Sequence, residues 1–244
     1  MRYLFFVSWL RAREKKIADR TDIDRMIGAS ILEESFKVLN DTDYAPFISN
    51  KNYEDIEDII EEERGDLRRT FERLGLEKSA SEFIFLKDDL ILLSGYLKEK
   101  FFGKGEKKEN ALTKKYPEII KEVEKRSFNS PEEIDDYIIE DYFQKAINFC
   151  RKIKEKEASG FLRNYWQKIK ISKGNPEERD GVLVEMEDKI IEKSRECISG
   201  ILPILSFFIK KRRAEYFIRT VFSAKRIGLN ISETPDLINK KRTI

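Results

Sequence analysis

The sequence contains no histidine. That excludes Ser-His-Asp and Cys-His nucleophile systems, imidazole-ligated zinc and a histidine pH switch. It has only two cysteines, Cys150 and Cys197, far apart in the chain. Neither can form a CxxC redox or metal motif. Both fall on apolar helical stripes and read as small buried hydrophobes. Glycine and proline number 11 and 6 among 244 residues, too few for long loops. No apolar run reaches the roughly 20 residues of a membrane-spanning helix. The longest, Ile198 to Ile209, is interrupted by Pro203. The apolar start, Tyr3 to Leu10, is too short for a signal peptide and reads as a buried first helix. Neither GxxxxGK[ST] nor GxSxG occurs. Net charge is also small: 48 basic against 46 acidic residues gives +2, which argues against a uniformly basic nucleic-acid coat.

What is present is charge, at 39% of the chain, with abundant Glu, Lys, Ile and Leu. With so little Gly and Pro, this composition predicts a mostly helical protein. Apolar spacing agrees. From Tyr53 to Leu74 the apolar positions are Ile56, Ile59, Ile60, Leu67, Phe71 and Leu74, one helical face. Ser81 to Phe102 carries Phe83, Leu86, Leu90, Leu93, Leu97 and Phe101 at steps of three and four. Ser130-Pro131 with Glu133 is a helix-start signal. The helix that follows has Ile134, Ile138, Tyr142, Ala146, Phe149 and Ile153 on one stripe. Leu183, Met186, Ile190, Cys197 and Ile201 mark a last-but-one helix, and Pro203 to about Arg226 a final one that Gly228 ends. Tyr3 to Leu39 reads as two helices, the second capped by Thr21 or Asp22. No run alternates apolar and polar residues over six positions, so the expected class is all-α.

Two polar stretches, Gly103 to Asn110 and Ile171 to Gly181, divide the chain. The expected organisation is an N-terminal helical lobe over 1–104, a second lobe over 111–173, C-terminal helices over 180–238 and a basic tail over 239–244. Charge is unevenly spread. Glu54 to Asp66 holds eight acids against Arg64, a balance of −7. Pro203 to the end holds ten bases against Glu215, Glu233 and Asp236, a balance of +7. Such a polarity suits docking between partners or attraction between two parts of one fold. The acidic pairs Asp88-Asp89, Asp135-Asp136 and Glu140-Asp141 read as solvated faces and caps, with an all-carboxylate magnesium site as the minor alternative. No cofactor is expected.

One ordered set of motifs goes further. Thr42, Asp43 and Tyr44 follow the first helices. Asp88 or Asp89 leads to Lys98. Ile134 and Asp135 open a helix with Tyr142 and Phe143. Glu215, Arg219, Lys225 and Gly228 lie along the last helix. Their order over most of the chain resembles the central-stalk socket family of rotary V/A-type ATPases, which serves bacterial, archaeal and eukaryotic enzymes alike. That family has a "TDY", a D-x-x-N-L-K helix (the asparagine is absent here), an "ID" with a "YF" pair, and a final helix with Glu, Arg, Lys and Gly.

The resemblance implies helical lobes, three of them in the family. The interval from Ile171 to Pro203 leaves room for only a reduced third lobe. It implies no catalytic site. The protein would be a rotor socket on the cytoplasmic face of a membrane, bound to central-shaft and rotor-ring subunits and coupling them for proton or sodium transport. A helical adaptor outside an ATPase and a nucleic-acid-binding helical protein are the alternatives. On this reading Glu215 and Arg219 form a structural pair one turn apart. It contributes about 0.3–0.5 kcal/mol if exposed, unless Arg219 instead bonds the opposite lobe.

Overall fold

A computed structural model describes residues 3–103, 111–172 and 174–229. Within them are eleven α-helices, three short 3-10 turns and no strand, so the fold is all-α. The helices are α1 (Leu4–Glu14), α2 (Arg20–Gly28), α3 (Leu32–Lys37), α4 (Ile56–Arg73), α5 (Lys78–Phe102), α6 (Ala111–Lys115), α7 (Pro117–Lys125), α8 (Pro131–Lys152), α9 (Lys156–Ile171), α10 (Pro176–Ser194) and α11 (Ile201–Arg226).

The chain divides into two compact units, and not where the polar stretches suggest. One joins the two ends of the sequence, 1–77 and 187–244. The other is the continuous middle, 78–186. The boundaries fall at the start of α5 and inside α10, where composition gives no signal. Most of the polar stretch Gly103 to Asn110, and the basic tail 239–244, lie outside the described residues.

In the first unit, three helices stand where two are expected over Tyr3 to Leu39. Asp19, not Thr21 or Asp22, caps α2. Its carboxylate accepts the Asp22 N–H at 3.1 Å, and Asp22 accepts the Asp19 N–H at 3.2 Å, a reciprocal capping box. Phe6, Val7 and Leu10 bury one face of α1, whereas Phe5 is exposed. Phe71 of α4 is the aromatic centre, edge-on to Phe6 at 4.6 Å and to Phe208 of α11 at 5.5 Å. Ile201 begins α11 and does not extend the α10 stripe. Cys197 lies past the end of α10 and is half-buried; Cys150 is buried as expected.

In the second unit, Leu86, Leu90, Leu93 and Leu97 of α5 pack with Ile119 and Val123 of α7 and Ile134 and Ile138 of α8. Phe101, the last member of the predicted α5 stripe, is exposed. Phe143 stacks on Trp166 of α9 at 5.4 Å. Ser130 does precede α8, with Pro131 in its first turn, but Glu133 reaches back to the Asn129 N–H at 2.9 Å.

Three helices end in the same way. After α4, α8 and α11 the chain turns through a left-handed residue: Gly75 at φ 72, Lys154 at φ 63 and Gly228 at φ 70. The next N–H closes onto a carbonyl five residues back: Leu76 to Phe71 at 3.0 Å, Glu155 to Cys150 at 2.9 Å and Leu229 to Ala224 at 2.9 Å. This paired closure satisfies the last carbonyls of a helix. Glycine adopts it freely; a lysine is strained there.

Candidate functional site

The α4 stripe contains a gap. Between Ile60 and Leu67 no apolar residue occurs, and the missing helical position is Glu63. In the structure Glu63 fills it and is completely buried. A carboxylate there requires cations from other elements. Lys211 of α11, 2% exposed, lies 3.2 Å from Glu63 Oε2 and 2.6 Å from Asp43 Oδ2. Arg13 of α1 adds a longer contact to Glu63 at 3.4 Å. The Lys211 Nζ also sits over the Tyr44 ring, 3.8 Å from its centroid, in a cation–π contact.

Local chemistry presents Asp43 and Tyr44 to this point. Thr42 Oγ1 donates to the Leu39 carbonyl at 2.8 Å and accepts the Tyr44 N–H at 3.3 Å. The Asp43 N–H bonds the Lys16 carbonyl at 2.8 Å. Thr42 thus shapes the turn, while Asp43 and Tyr44 supply the contacts. Burial pushes the Glu63 carboxyl up to about 7 despite the Lys211 charge. Burial, then the nearby Glu215 and Asp43 charges, lifts the Tyr44 hydroxyl well above its ordinary value.

The same two helices exchange more charge at the edge of this cluster. Arg64 grips the buried Glu215 through two nitrogens. Arg219 grips Glu57, with bonds of 2.8 and 2.9 Å, and is 3.8 Å from Glu215. Arg226 donates to the Tyr53 carbonyl at 2.8 Å. Two acids of the acidic stretch, Glu57 and Glu63, thus pair with Arg219 and Lys211 of the basic stretch inside one unit, while Glu62 pairs with Lys51 and Lys210 and Arg213 find other carboxylates. Arg219 does bond beyond its own helix. Lys225, by contrast, donates to the Ala29 carbonyl at a different place, and Gly228 closes the helix.

The second unit has its own polar knot. Asp135 of α8 accepts from Lys98 at 2.6 Å and from Ser94 at 2.7 Å, both on α5. Asp89, also on α5, accepts from Lys115 and from the Tyr116 hydroxyl at 2.9 Å. Asp89 is buried, not part of a solvated face. Asp136 pairs with the buried Arg179 of α10. Phe143 is core, with Tyr142 edge-on at 5.3 Å.

The singled-out residues thus separate into two groups. Asp43, Tyr44, Glu215 and Arg219 join one network, and Asp89, Lys98 and Asp135 serve the other unit. Sequence reasoning missed Glu63, Lys211 and Arg213. The signal for Glu63 was the gap in an otherwise regular stripe. Lys211 and Arg213 sit in a basic run bracketed by Ile209 and Ala214 on a helix that is apolar before and after. Arg213 is buried against Glu187 at 3.3 Å and Asp188 at 2.7 Å.

Beside Arg213 lies an open cleft of about 550 Å³, lined by Glu14, Arg20, Asp188, Arg195 and Lys210 among others. Lys210 pairs with Glu14 there. Its alternating signs select neither anion nor cation. No group of three or more histidine, cysteine, aspartate or glutamate side chains converges as a metal site among the described residues. No helix among them is long and apolar enough to cross a membrane. Comparison with protein-family models, curated proteins and solved structures yields no match to this chain.

Proposed function

We propose that this chain is a central-stalk component of a V/A-type rotary ATPase, a non-catalytic socket joining the central shaft to the membrane rotor ring. It would work at the cytoplasmic face and couple the two for proton or sodium transport. One observation carries the reading. Asp43 and Tyr44, from the family-like "TDY", meet the family-like final helix at Lys211, 168 positions from Asp43. Motifs that the family orders along its chain are here interlocked through charge in the interior. A torque-bearing part needs such internal ties and needs no reactive centre.

Affinity capture of the full chain from native membranes tests this. Recovery of shaft and ring subunits is the expected result. No association at micromolar concentration and low salt overturns it, and ATP hydrolysis by the purified chain alone overturns its non-enzymatic part.

A helical adaptor outside an ATPase is the second reading. It is favoured by the division into two units where the family has three lobes. Capture of partners with no ATPase component among them selects it. Against the nucleic-acid alternative stands the engagement of Lys211, Arg213 and Arg219 of the basic helix with carboxylates, and a steep salt dependence of nucleic-acid binding would select it.

A further inference from the structure

Among the described residues many cations pair with carboxylates. One group does not. Arg151, Lys152, Lys154, Lys156 and Arg163 are exposed, and none has a carboxylate within ion-pair distance among the described residues. They cluster at the end of α8 and along α9. For Arg151 and Lys152 the helix dipole supplies a reason, since cations are favoured in a last turn. Lys156 stands in the first turn of α9, where that dipole opposes it. Lys154 occupies the left-handed turn that glycine fills after α4 and α11. The chain thus keeps cations here at two positions that disfavour them.

The outer face of α9 is regular. Lys156, Glu157, Gly160, Arg163, Asn164, Gln167, Lys170 and Ile171 are all exposed. Lys156, Arg163 and Lys170 are seven residues apart, about 10.5 Å along the axis at each step. Glu157, Gly160, Asn164, Gln167 and Ile171 run beside them at steps of three, four, three and four, so the row holds one acid, Glu157, at its N-terminal end. That is the a/d seam of a heptad, with the three cations at g. A side chain at Gly160 would meet nothing within 4 Å, so a partner backbone can approach closely there. Lys170 is held over the Trp166 ring at 5.0 Å. The seam is polar apart from Ile171, so charge must supply the attraction and the register.

The geometry points to a docking surface on α9 for an α-helix of a protein partner that carries carboxylates at heptad spacing. A polynucleotide fits less well, because duplex charge recurs about every 1.7 Å along the axis. A lipid surface fits less well, because Ile171 is the single apolar side chain on this face. The surface is defined without reference to a rotor, and its test does not depend on one.

The probe is an Ala-rich 22-residue helical peptide with glutamates at three positions seven apart, read by fluorescence anisotropy at low salt against the full chain. The expected result is binding at least about tenfold tighter than that of the same peptide with glutamines. Reversal of the three cations together (K156E, R163E and K170E) abolishes it, and a lysine version of the peptide binds that variant instead. Reversal of three exposed cations elsewhere (K15E, K37E and K121E) leaves binding unchanged. R163E alone weakens binding about threefold or more, and circular dichroism confirms helix content in every variant. No binding of the glutamate peptide, equal binding by the triple variant, or preferential binding of a 20-bp DNA duplex or phosphatidylserine vesicles overturns the proposal.

Discussion

Both units hold themselves together with lysine–carboxylate pairs, but at different depths. In the first, Lys211 and its partner Asp43 expose 2% and 3% of their side chains. In the second, Lys98 and Asp135 expose 34% and 26%. Water screens the second pair and not the first. The contact distance is 2.6 Å in both. What differs is the cost of leaving one partner alone, so equal geometry does not mean equal energy. The first unit encloses a multi-residue charge network around its lysine; the second keeps Lys98 at the rim and buries charge instead at the separate Arg179–Asp136 pair.

The largest break in this comparison is Lys211→Met. It strands Asp43 and Glu63 in the interior and should remove about 3–5 kcal/mol from the first unit. Each unit contains one tryptophan, Trp9 and Trp166. Urea unfolding of single-tryptophan backgrounds (W166F to follow the first unit, W9F the second) locates the loss. An equal loss by both reporters contradicts the assignment of the network to one unit.

Asp89→Ala should follow, at about 2–3 kcal/mol, seen by Trp166. It leaves Lys115 and the Tyr116 hydroxyl without their shared acceptor.

A pH series sharpens the contrast. Glu63 titrates near 7 in the fold, above the ordinary value of 4.5. A raised carboxyl value means stability is full below about 4.5 and is lost as pH rises through about 7. Between pH 5 and 8 the first unit should therefore lose on the order of 1–3 kcal/mol relative to a Glu63→Gln variant. Parallel curves for the two proteins would contradict the burial of an ionising Glu63.

Lys98→Met, at the exposed pair, should cost only about 0.5–1 kcal/mol. Smallest, and opposite in sign, is Lys154→Gly. It relieves the left-handed lysine and should raise the melting midpoint of the second unit by the equivalent of about 0.5–1 kcal/mol.

The helical class was readable because stripes such as Leu86, Leu90, Leu93 and Leu97 repeat at helical steps. The Gly228 helix end was readable because few other residues adopt its backbone conformation. The two units were not. Joining 1–77 to 187–244 depends on contacts between distant segments, which periodicity within one helix does not encode. The site was half readable. The motifs point to Asp43, Tyr44, Glu215 and Arg219, but not to the Lys211 that answers Asp43 and Tyr44. Lys211 sits within Lys-Lys-Arg-Arg, and nothing local separates the buried members from the exposed ones. From sequence Asp89 reads as solvated, since the adjacent Asp88 looks equivalent; one helical step of about 100° sets them apart.

The gap at Glu63 has a consequence for synthesis. The second unit is one continuous stretch and is complete before α11 leaves the ribosome. The first cannot close then, because the lysine that answers Asp43 comes 168 residues later. At about 5–20 residues per second, the nascent chain carries α4 with Arg13 but without Lys211 for many seconds.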